Sequence, residues 1–234
     1  MLDTRQADHA RSVLRVEVGR RLRAGLVDGP TGEAEVLACG PDRVEVRFTP
    51  TGPPVGAGPD VLVVAVPRPK VLARVLRLAA ELGVGALHLC RSWRVDPAYL
   101  ASPGLTPAAI APQLVLGAEQ GGWTRLPQVT VHPRFMQMID AVAVAGGQLL
   151  VAHRVVLHAG ADVPVLERVA GSGGPTALAI GPEGGWIARE LDTFAAAGFA
   201  PASLGPAVLK VETAIATGLA QVSLLRRLVD HRPS

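Results

Sequence analysis

The sequence predicts an α/β protein, in which a mainly parallel β-sheet with helices on both faces follows a small β-domain. Residues 1–52 contain short segments in which apolar and charged side chains alternate, whereas apolar runs alternate with helical patterns from Asp60 onward. Between these parts, residues 50–59 contain four Pro and three Gly, a composition that continues neither a helix nor a strand. We therefore predict two domains, residues 1–52 and residues 60–234.

The first domain is predicted to be a small β-barrel or half-barrel. Its strands are expected at residues 13–16, 22–27, 34–37 and 43–48. The last of these segments alternates apolar and charged residues with a period of two, which is typical of a half-buried strand. Asp28-Gly29 after the second segment indicates a tight turn.

The second domain shows buried strands and amphipathic helices in turn. Val61–Val66 is a continuous apolar run, as expected of a strand covered on both faces. Lys70–Leu82 has apolar residues at helical spacing and ends at Gly83. The same alternation predicts strands at 86–90, 128–131, 149–152 and 176–180 and helices at 106–120, 135–144, 187–197 and 214–229.

The composition excludes several classes of protein. Hydrophobic residues make up 49% of the chain, yet no apolar run is long enough to cross a bilayer, so we expect a folded cytoplasmic protein without a membrane partner. The start carries Asp3, Arg5 and Asp8 and lacks the apolar segment of a signal peptide. Cys39 and Cys90 do not have the spacing of metal ligands, and the six histidines do not have it either. No metal is therefore expected.

Arginine supplies nearly all of the positive charge. Of 23 basic residues only Lys70 and Lys210 are lysines, which leaves 21 arginines. A GC-rich genome is the simpler explanation of this bias, and contact between guanidinium groups and RNA phosphates is the functional one. The excess of arginine alone does not distinguish these two explanations. It does make each of the two lysines unusual in a chain that otherwise uses arginine.

The segment Ile180–Gly185, Ile-Gly-Pro-Glu-Gly-Gly, lies between a predicted strand and a predicted helix. Ligands of α/β sheets bind beyond the carboxyl ends of strands, and glycine lets the backbone approach a ligand closely. The segment matches neither a dinucleotide fingerprint nor a P-loop, and Glu183 would repel a phosphate. A carboxylate there favours a cationic ligand; an ordinary tight turn with a surface glutamate is the alternative.

A second glycine loop, Ser203–Gly205, follows a short predicted strand and leads through Leu209–Ala214 into the last helix. A Rossmann-type enzyme carries its glycines after its first strand, where this chain has Pro67-Arg68-Pro69. The sequence therefore predicts a ligand site at the C-terminal end of the domain and disfavours a Rossmann-like oxidoreductase.

With these two loops the chain resembles the RsmE family, bacterial SPOUT-class enzymes that methylate N3 of a uridine in 16S ribosomal RNA. Ala80–Val84, Glu119–Gly121 and Asp8–Gly19 are also similar to family positions, so the resemblance covers nearly the whole chain. It implies a trefoil-knotted domain after a PUA-like barrel, S-adenosylmethionine as cofactor, a homodimer, and 16S rRNA or the small ribosomal subunit as partner. The apolar positions 215, 219, 222 and 225 of the last helix suit either a dimer contact or internal burial.

The resemblance also implies the residues of the site. The implied cofactor-binding residues are Val151, Ala152, Ile180, Gly181, Pro182, Glu183, Gly184, Gly185, Ser203, Leu204, Gly205, Val208, Leu209, Thr213 and Ala214. Lys210 stands where the family usually has Arg, and we predict it to be the cation that stabilises charge on the uracil. Glu212 is the predicted base, Glu183 is the alternative base, and a purely structural role is open for each carboxylate.

Contact with RNA is expected from arginines at predicted loop positions, Arg91, Arg94 and Arg125. Trp93 or Trp123 could stack on an unpaired base. Ordinary solvated charges and core tryptophans are the alternative for each of them. A SPOUT enzyme with another rRNA or tRNA target, or a non-catalytic RNA-binding relative, remains the alternative function.

Overall fold

The computed structural model of the protein describes residues 2–41, 43–56, 58–143, 151–169 and 174–230. The described residues of 1–56 form one compact unit together with 122–125, and those of 57–121 and 126–234 form a second. Residues 122–125 thus belong to the small unit although they lie far along the chain, which no local pattern of the sequence signals.

The small unit consists of one helix and a three-stranded antiparallel sheet in the order β1-β2-β3. Its elements are α1 (Thr4–Ser12), β1 (Arg21–Gly25), β2 (Thr31–Cys39) and β3 (Val44–Gly52). Ala7 and Ala10 of the helix pack with Val16, Val36 and Val44 in a small core. The three strands predicted between residues 22 and 48 are confirmed, and each differs from the predicted bounds by a few residues.

The strand predicted at residues 13–16 is wrong, because helix α1 precedes that segment and ends there. The Asp3 side chain accepts a hydrogen bond from the Gln6 backbone N–H at 2.7 Å, and the Gln6 side chain accepts one from the Asp3 N–H at 3.4 Å. This reciprocal capping box starts a helix, and Val13 closes it by donating to the His9 carbonyl at 3.0 Å. The Asp-x-x-Gln spacing of residues 3–6 was the sequence feature that could have predicted the start of this helix.

The large unit contains a six-stranded sheet in the order β6-β5-β4-β8-β7-β9, in which every neighbouring pair is parallel. The strands are β4 (Val61–Ala65), β5 (Ala86–Cys90), β6 (Gln128–His132), β7 (His153–Leu157), β8 (Thr176–Ile180) and β9 (Ala200–Ala202). All residues of β4, β5 and β8 are buried, as their continuous apolar runs predict. The predicted parallel sheet is therefore confirmed.

Helices follow most strands of this sheet. They are α2 (Pro69–Glu81), α3 (Pro97–Leu100), α4 (Pro107–Gly121), α5 (Phe135–Ala143), α6 (Val165–Val169), α7 (Ala188–Ala196) and α8 (Val211–Asp230), with a 3₁₀ turn at Pro103–Leu105. Helix α2 packs on α4 and α8, and α8 also packs on α6 and β8. The α2–α4 contact requires Gly117, because an added Cβ would lie 2.1 Å from the Arg77 carbonyl oxygen. None of the helices that the structure describes is long and apolar enough to span a membrane.

One predicted strand of the large unit is misplaced. The sequence predicts it at 149–152, whereas β7 is His153–Leu157; residues 149 and 150 lie outside the described residues, as does residue 144 of a predicted helix. Val155 and Val156 are the buried residues of β7, and they pair with β8 on one side and β9 on the other. Since residues 149–157 are apolar apart from His153-Arg154, only pairing with these neighbours fixes which part becomes the strand.

Two buried histidines lie on adjacent strands of the sheet. His88 Nδ1 is 2.9 Å from His132 Nε2, and the rings stack with centroids 5.1 Å apart. Only one hydrogen atom fits between the two facing nitrogens, so one ring donates it and the other accepts it. Two neutral imidazole rings satisfy this arrangement. Burial, and then the charge of His132, lower the pKa of His88 to about 4, and burial lowers the pKa of His132.

We expect the free energy of unfolding to fall as the pH falls from 7 to 5. The unfolded chain takes up a proton at His88 near its ordinary pKa of about 6.5, whereas the folded protein resists protonation until about pH 4. Acid therefore favours the unfolded chain by about 1 to 2 kcal/mol over this range. Urea denaturation at the two pH values measures the change; His88→Gln should reduce it, and His9→Gln, at an exposed position, should not. Equal pH dependence in His88→Gln and the parent would contradict this.

Candidate active site

The carboxyl ends of neighbouring parallel strands open into one cleft of about 690 Å³. It is lined by Ile180–Trp186 after β8, Leu157–Ala159 at the end of β7, Ala202–Gly205 at the end of β9, residues 207–212 and 214 at the start of α8, Arg94 after β5, and Arg68, Val71 and Arg74 of α2 and its N-cap. This is the edge at which ligands of parallel α/β sheets bind, and the volume suits a small organic molecule.

Glycines shape both loops of the cleft. Gly185 has a φ of +73° and donates its N–H to the Pro182 carbonyl at 2.8 Å, which closes a tight turn. An added Cβ at Gly181 would lie 3.2 Å from Nε1 of the buried Trp186. Gly205 has a φ of +127°, a conformation that residues with a side chain rarely adopt. At these glycines the two loops present backbone to the cleft.

Two arginines of the α2 region neutralise the two carboxylates of the cleft. Arg68 Nε lies 3.4 Å from Glu183 Oε1, and Arg74 Nε lies 3.1 Å from Glu212 Oε1. The expectation that Glu183 attracts a cationic ligand stays a prediction, and Arg68 shares the same carboxylate. Glu212 therefore faces the cleft as one half of an ion pair.

Lys210 lies on the cleft wall at the beginning of α8. Its carbonyl accepts the Ala214 N–H at 2.8 Å, the first hydrogen bond of the helix, and its side chain is exposed. Arg68 and Arg74 pair with carboxylates, and Arg94 donates to the Gly184 carbonyl. Within the part of the chain that the structure describes, Lys210 is thus the one Lys or Arg of the cleft whose head group has no ionic or hydrogen-bond partner.

Twelve of the fifteen residues predicted to hold a cofactor line this cleft, together with both predicted catalytic residues. Val151 and Ala152 do not, because they precede β7, and Ala152 donates to the Pro175 carbonyl at the opposite edge of the sheet at 2.8 Å. The carboxyl end of β7, Leu157, lies five residues beyond Ala152, roughly 17 Å away along an extended chain. Thr213 is an exposed residue of α8 outside the cleft, since successive helical residues are turned by about 100°.

The segment of β7 that does line the cleft, Leu157–Ala159, escaped prediction because the strand was placed too early. The Val155–Leu157 run followed by His158-Ala159-Gly160 was the available signal. Arg68 and Arg74 were not predicted either, and no local pattern marks them, since their partners lie over a hundred residues later in the chain. Among the described residues, no three His, Cys, Asp or Glu side chains converge as a metal site would require.

A buried carboxylate fixes the loop after β5 to the glycine loop after β8. Glu190 is 5% exposed; its Oε1 accepts the Trp93 N–H at 2.8 Å, and its Oε2 accepts the Ile187 N–H at 3.0 Å and the Ser92 hydroxyl at 3.3 Å. Arg94 completes the connection through its contact with the Gly184 carbonyl. The loop that carries Trp93 and Arg94 is therefore anchored at the mouth of the cleft.

The predicted RNA-binding arginines lie in different parts of the molecule. Arg91 and Arg94 are exposed in the loop after β5, and Arg94 lines the cleft. Arg125 is exposed in the segment that belongs to the small unit. Arg91 and Arg94 therefore form one candidate surface for RNA, and Arg125 is a candidate on a separate unit.

Comparisons with known proteins agree with this geometry. A family model described as RNA methyltransferase domain matches residues 59–223. Ribosomal RNA small subunit methyltransferase E of Treponema pallidum is 29% identical over 92% of this chain and 80% of its own length. The protein of the same name from Mycobacterium bovis is 27% identical over 100% of this chain and 89% of its own length.

The fold also matches solved structures. Ribosomal RNA small subunit methyltransferase E from Neisseria gonorrhoeae, bound to S-adenosyl methionine, superposes with a TM-score of 0.70 at 21% identity, covering 97% of this chain and 90% of that one. At this level of identity the superposition concerns the fold.

Replacing Glu190 by Ala should destabilise the protein by about 2 to 4 kcal/mol, because the backbone N–H groups of Trp93 and Ile187 would lose a charged acceptor. Asp192→Ala, at an exposed position of the same helix, is the matched control and should change stability by less than about 0.5 kcal/mol. Chemical denaturation measures both changes. If the two variants were equally stable, the anchoring role of Glu190 would be refuted.

Proposed function

Because the chain belongs to the RNA methyltransferase domain family, we propose that it transfers a methyl group from S-adenosylmethionine to N3 of a uridine in 16S ribosomal RNA. The observation that carries the proposal is the cleft at the ends of β8, β7 and β9, which is lined by both glycine loops and by Lys210. The names of the relatives and the ligand bound to the Neisseria gonorrhoeae protein support the same activity.

The residues of the cleft fit this cofactor. The glycine loops 180–185 and 203–205 allow the backbone to approach a bound molecule, and the apolar side chains of Leu204, Leu209 and Ala214 offer a surface for a flat adenine ring. When bound there, S-adenosylmethionine supplies a methyl group that is electrophilic because it is attached to a sulfonium.

Lys210 and Glu212 are proposed to prepare the uracil for attack. N3 of uracil carries a proton, and its lone pair becomes nucleophilic as that proton leaves. The Lys210 ammonium donates a hydrogen bond to a neighbouring carbonyl oxygen of the base and stabilises the negative charge that develops there. Glu212, which is paired with Arg74, would accept the proton from N3, and S-adenosylmethionine held by the two glycine loops would supply the methyl group to the same nitrogen.

The finer features of the fold are part of the same proposal. We infer a trefoil knot in the large domain, residues 60–234, because the chain leaves β8, crosses to β9 beyond β7, and returns through α8 to pack on α6 and β8. The Ser203 N–H donates to the Val163 carbonyl at 2.9 Å, so the segment after β9 is pinned beside the segment after β7.

The assembly and the setting are also proposed. The small domain, residues 1–52, is a PUA-like RNA-binding domain, and the active form is a cytoplasmic homodimer. Leu224 and Leu228, which are exposed on α8, support a dimer contact on that helix.

The purified protein, incubated with S-adenosylmethionine and unmethylated small ribosomal subunits or 16S rRNA, should yield 3-methyluridine on nucleoside mass spectrometry. Isothermal calorimetry should show cofactor binding without RNA. A different methylated nucleoside would assign another target, and an absence of cofactor binding at millimolar concentration would refute methyl transfer altogether.

Lys210→Met should lower kcat on RNA by roughly 10²- to 10³-fold, the usual loss when one donor to a developing anion is removed. The affinity for S-adenosylmethionine should stay within a few fold, since the proposed partner of the ammonium is the uracil. Lys210→Arg keeps a cation and should retain more activity than the Met variant.

The matched control is Lys70→Met, which removes the chain's other lysine at an exposed position of α2 outside the cleft. It should leave kcat unchanged. A kcat for Lys210→Met equal to that of Lys70→Met would remove Lys210 from the mechanism.

A further inference from the structure

The loop between β5 and α3 presents a tryptophan to solvent at the mouth of the cleft. Trp93 is 81% exposed, whereas Trp186 is 4% exposed and packs against Phe135 and Phe194. Large aromatic side chains bury more apolar area than any others, so leaving one outside the core forgoes a substantial stabilisation. An indole displayed in this way indicates a surface that becomes covered when a partner binds.

The exposed indole stands on a fixed backbone. Ser92 and Val95, on either side of Trp93 and Arg94, are buried, and the Val95 N–H donates to the Ser92 carbonyl at 3.1 Å. The Trp93 N–H itself is held at 2.8 Å by the buried carboxylate of Glu190. The side chain is therefore offered to a partner from an ordered turn, which lowers the entropy that binding must overcome.

The charges and the place of this loop favour a nucleic acid as the partner. Exposed arginines lie on both sides of the indole, Arg91 two residues before it and Arg94 directly after it. A stacking platform beside guanidinium groups is the usual arrangement for holding unpaired bases together with their phosphates. Because Arg94 lines the cleft and contacts the Gly184 carbonyl, a base on Trp93 would lie close to a base that enters the cleft.

We propose that Trp93 stacks on an unpaired base of the RNA substrate beside the target nucleotide, and that it thereby selects single-stranded RNA at the mouth of the cleft. The proposal rests on the proposed function, because it names the contact that presents the substrate to the same site. Glu190 acts as a positioning residue, since it fixes the backbone from which the indole projects.

Binding of a fluorescein-labelled oligouridine RNA, measured by fluorescence anisotropy, tests the stack. Trp93→Ala should raise the Kd for this RNA roughly 5- to 150-fold, as expected for the loss of one base–aromatic stack. Trp93→Phe should stay within a few fold of the parent, whereas Trp93→Leu, which keeps an apolar side chain without a π-face, should resemble Ala. Annealing the RNA to oligoadenine should abolish the difference between the parent and the Ala variant.

Two controls separate stacking from other effects. Met136→Ala removes another exposed apolar side chain that does not line the cleft, and it should bind the RNA as the parent does. Calorimetry with S-adenosylmethionine should give the same affinity for the parent and for all Trp93 variants, since the indole lies outside the cleft.

Equal RNA affinity of Trp93→Ala and the parent would overturn the proposal. Parent-like binding by Trp93→Leu would also overturn it, since an apolar contact of the kind made with a protein partner would then suffice. If the parent binds the oligouridine through Trp93 but produces no methylated nucleoside, the stack is supported and the proposed function fails. The two hypotheses are therefore separable.

Discussion

The structure depends on the position of β8, which is buried along its whole length and pairs in parallel with β4 on one side and β7 on the other. Parallel pairing brings the carboxyl ends of these strands to one edge, so the glycine loop after β8 meets segments that are far away in the sequence. At the opposite edge, Asp60 Oδ1 accepts the Thr176 N–H at 2.9 Å and also a hydrogen bond from the Arg226 guanidinium, which ties the starts of β4 and β8 to α8. Helix α8, which has Lys210 directly before it and Glu212 in its first turn, is thereby held against the same sheet that carries the glycine loop.

The charged side chains of the cleft differ in whether they have ionic partners. Four Lys or Arg residues and two Glu residues line it, and both carboxylates are paired with arginines of the α2 region. A ligand therefore meets a wall with an excess of positive charge, which suits the phosphates and carbonyl oxygens of RNA. In a chain with only two lysines, the one on this wall is the one described Lys or Arg of the cleft whose head group has no ionic or hydrogen-bond partner. A compact ammonium can follow one oxygen atom as charge develops on it, whereas a guanidinium engaged with a carboxylate cannot move without breaking its pair.

How much the sequence could predict differs from one element to the next. Strands β4, β5 and β8 were predictable because burial on both faces demands continuous apolar runs, and both cleft loops were predictable because Gly and Pro interrupt such runs. The position of β7 was not, since its apolar stretch allows two placements and only β8 and β9 choose between them. No local sequence pattern could predict that Arg68 pairs with Glu183 or that Arg74 pairs with Glu212. The sequence therefore predicted the two loops that line the cleft and missed the side chains that another part of the chain brings to them.

Glu190 shows why such tertiary contacts matter for function. Its carboxylate accepts the N–H of Ile187, which follows the glycine loop, and the N–H of Trp93, which lies in the loop after β5. Hydrogen bonds to a charged group contribute about 1.5 to 3 kcal/mol each, so the two loops cannot separate without losing one or more of them. Arg94 adds a direct contact from the same loop to the Gly184 carbonyl. The surface proposed to hold RNA is therefore built on the same buried acceptor as the surface proposed to hold the methyl donor, and the distance between the two substrates is set by the folded core rather than by flexible side chains.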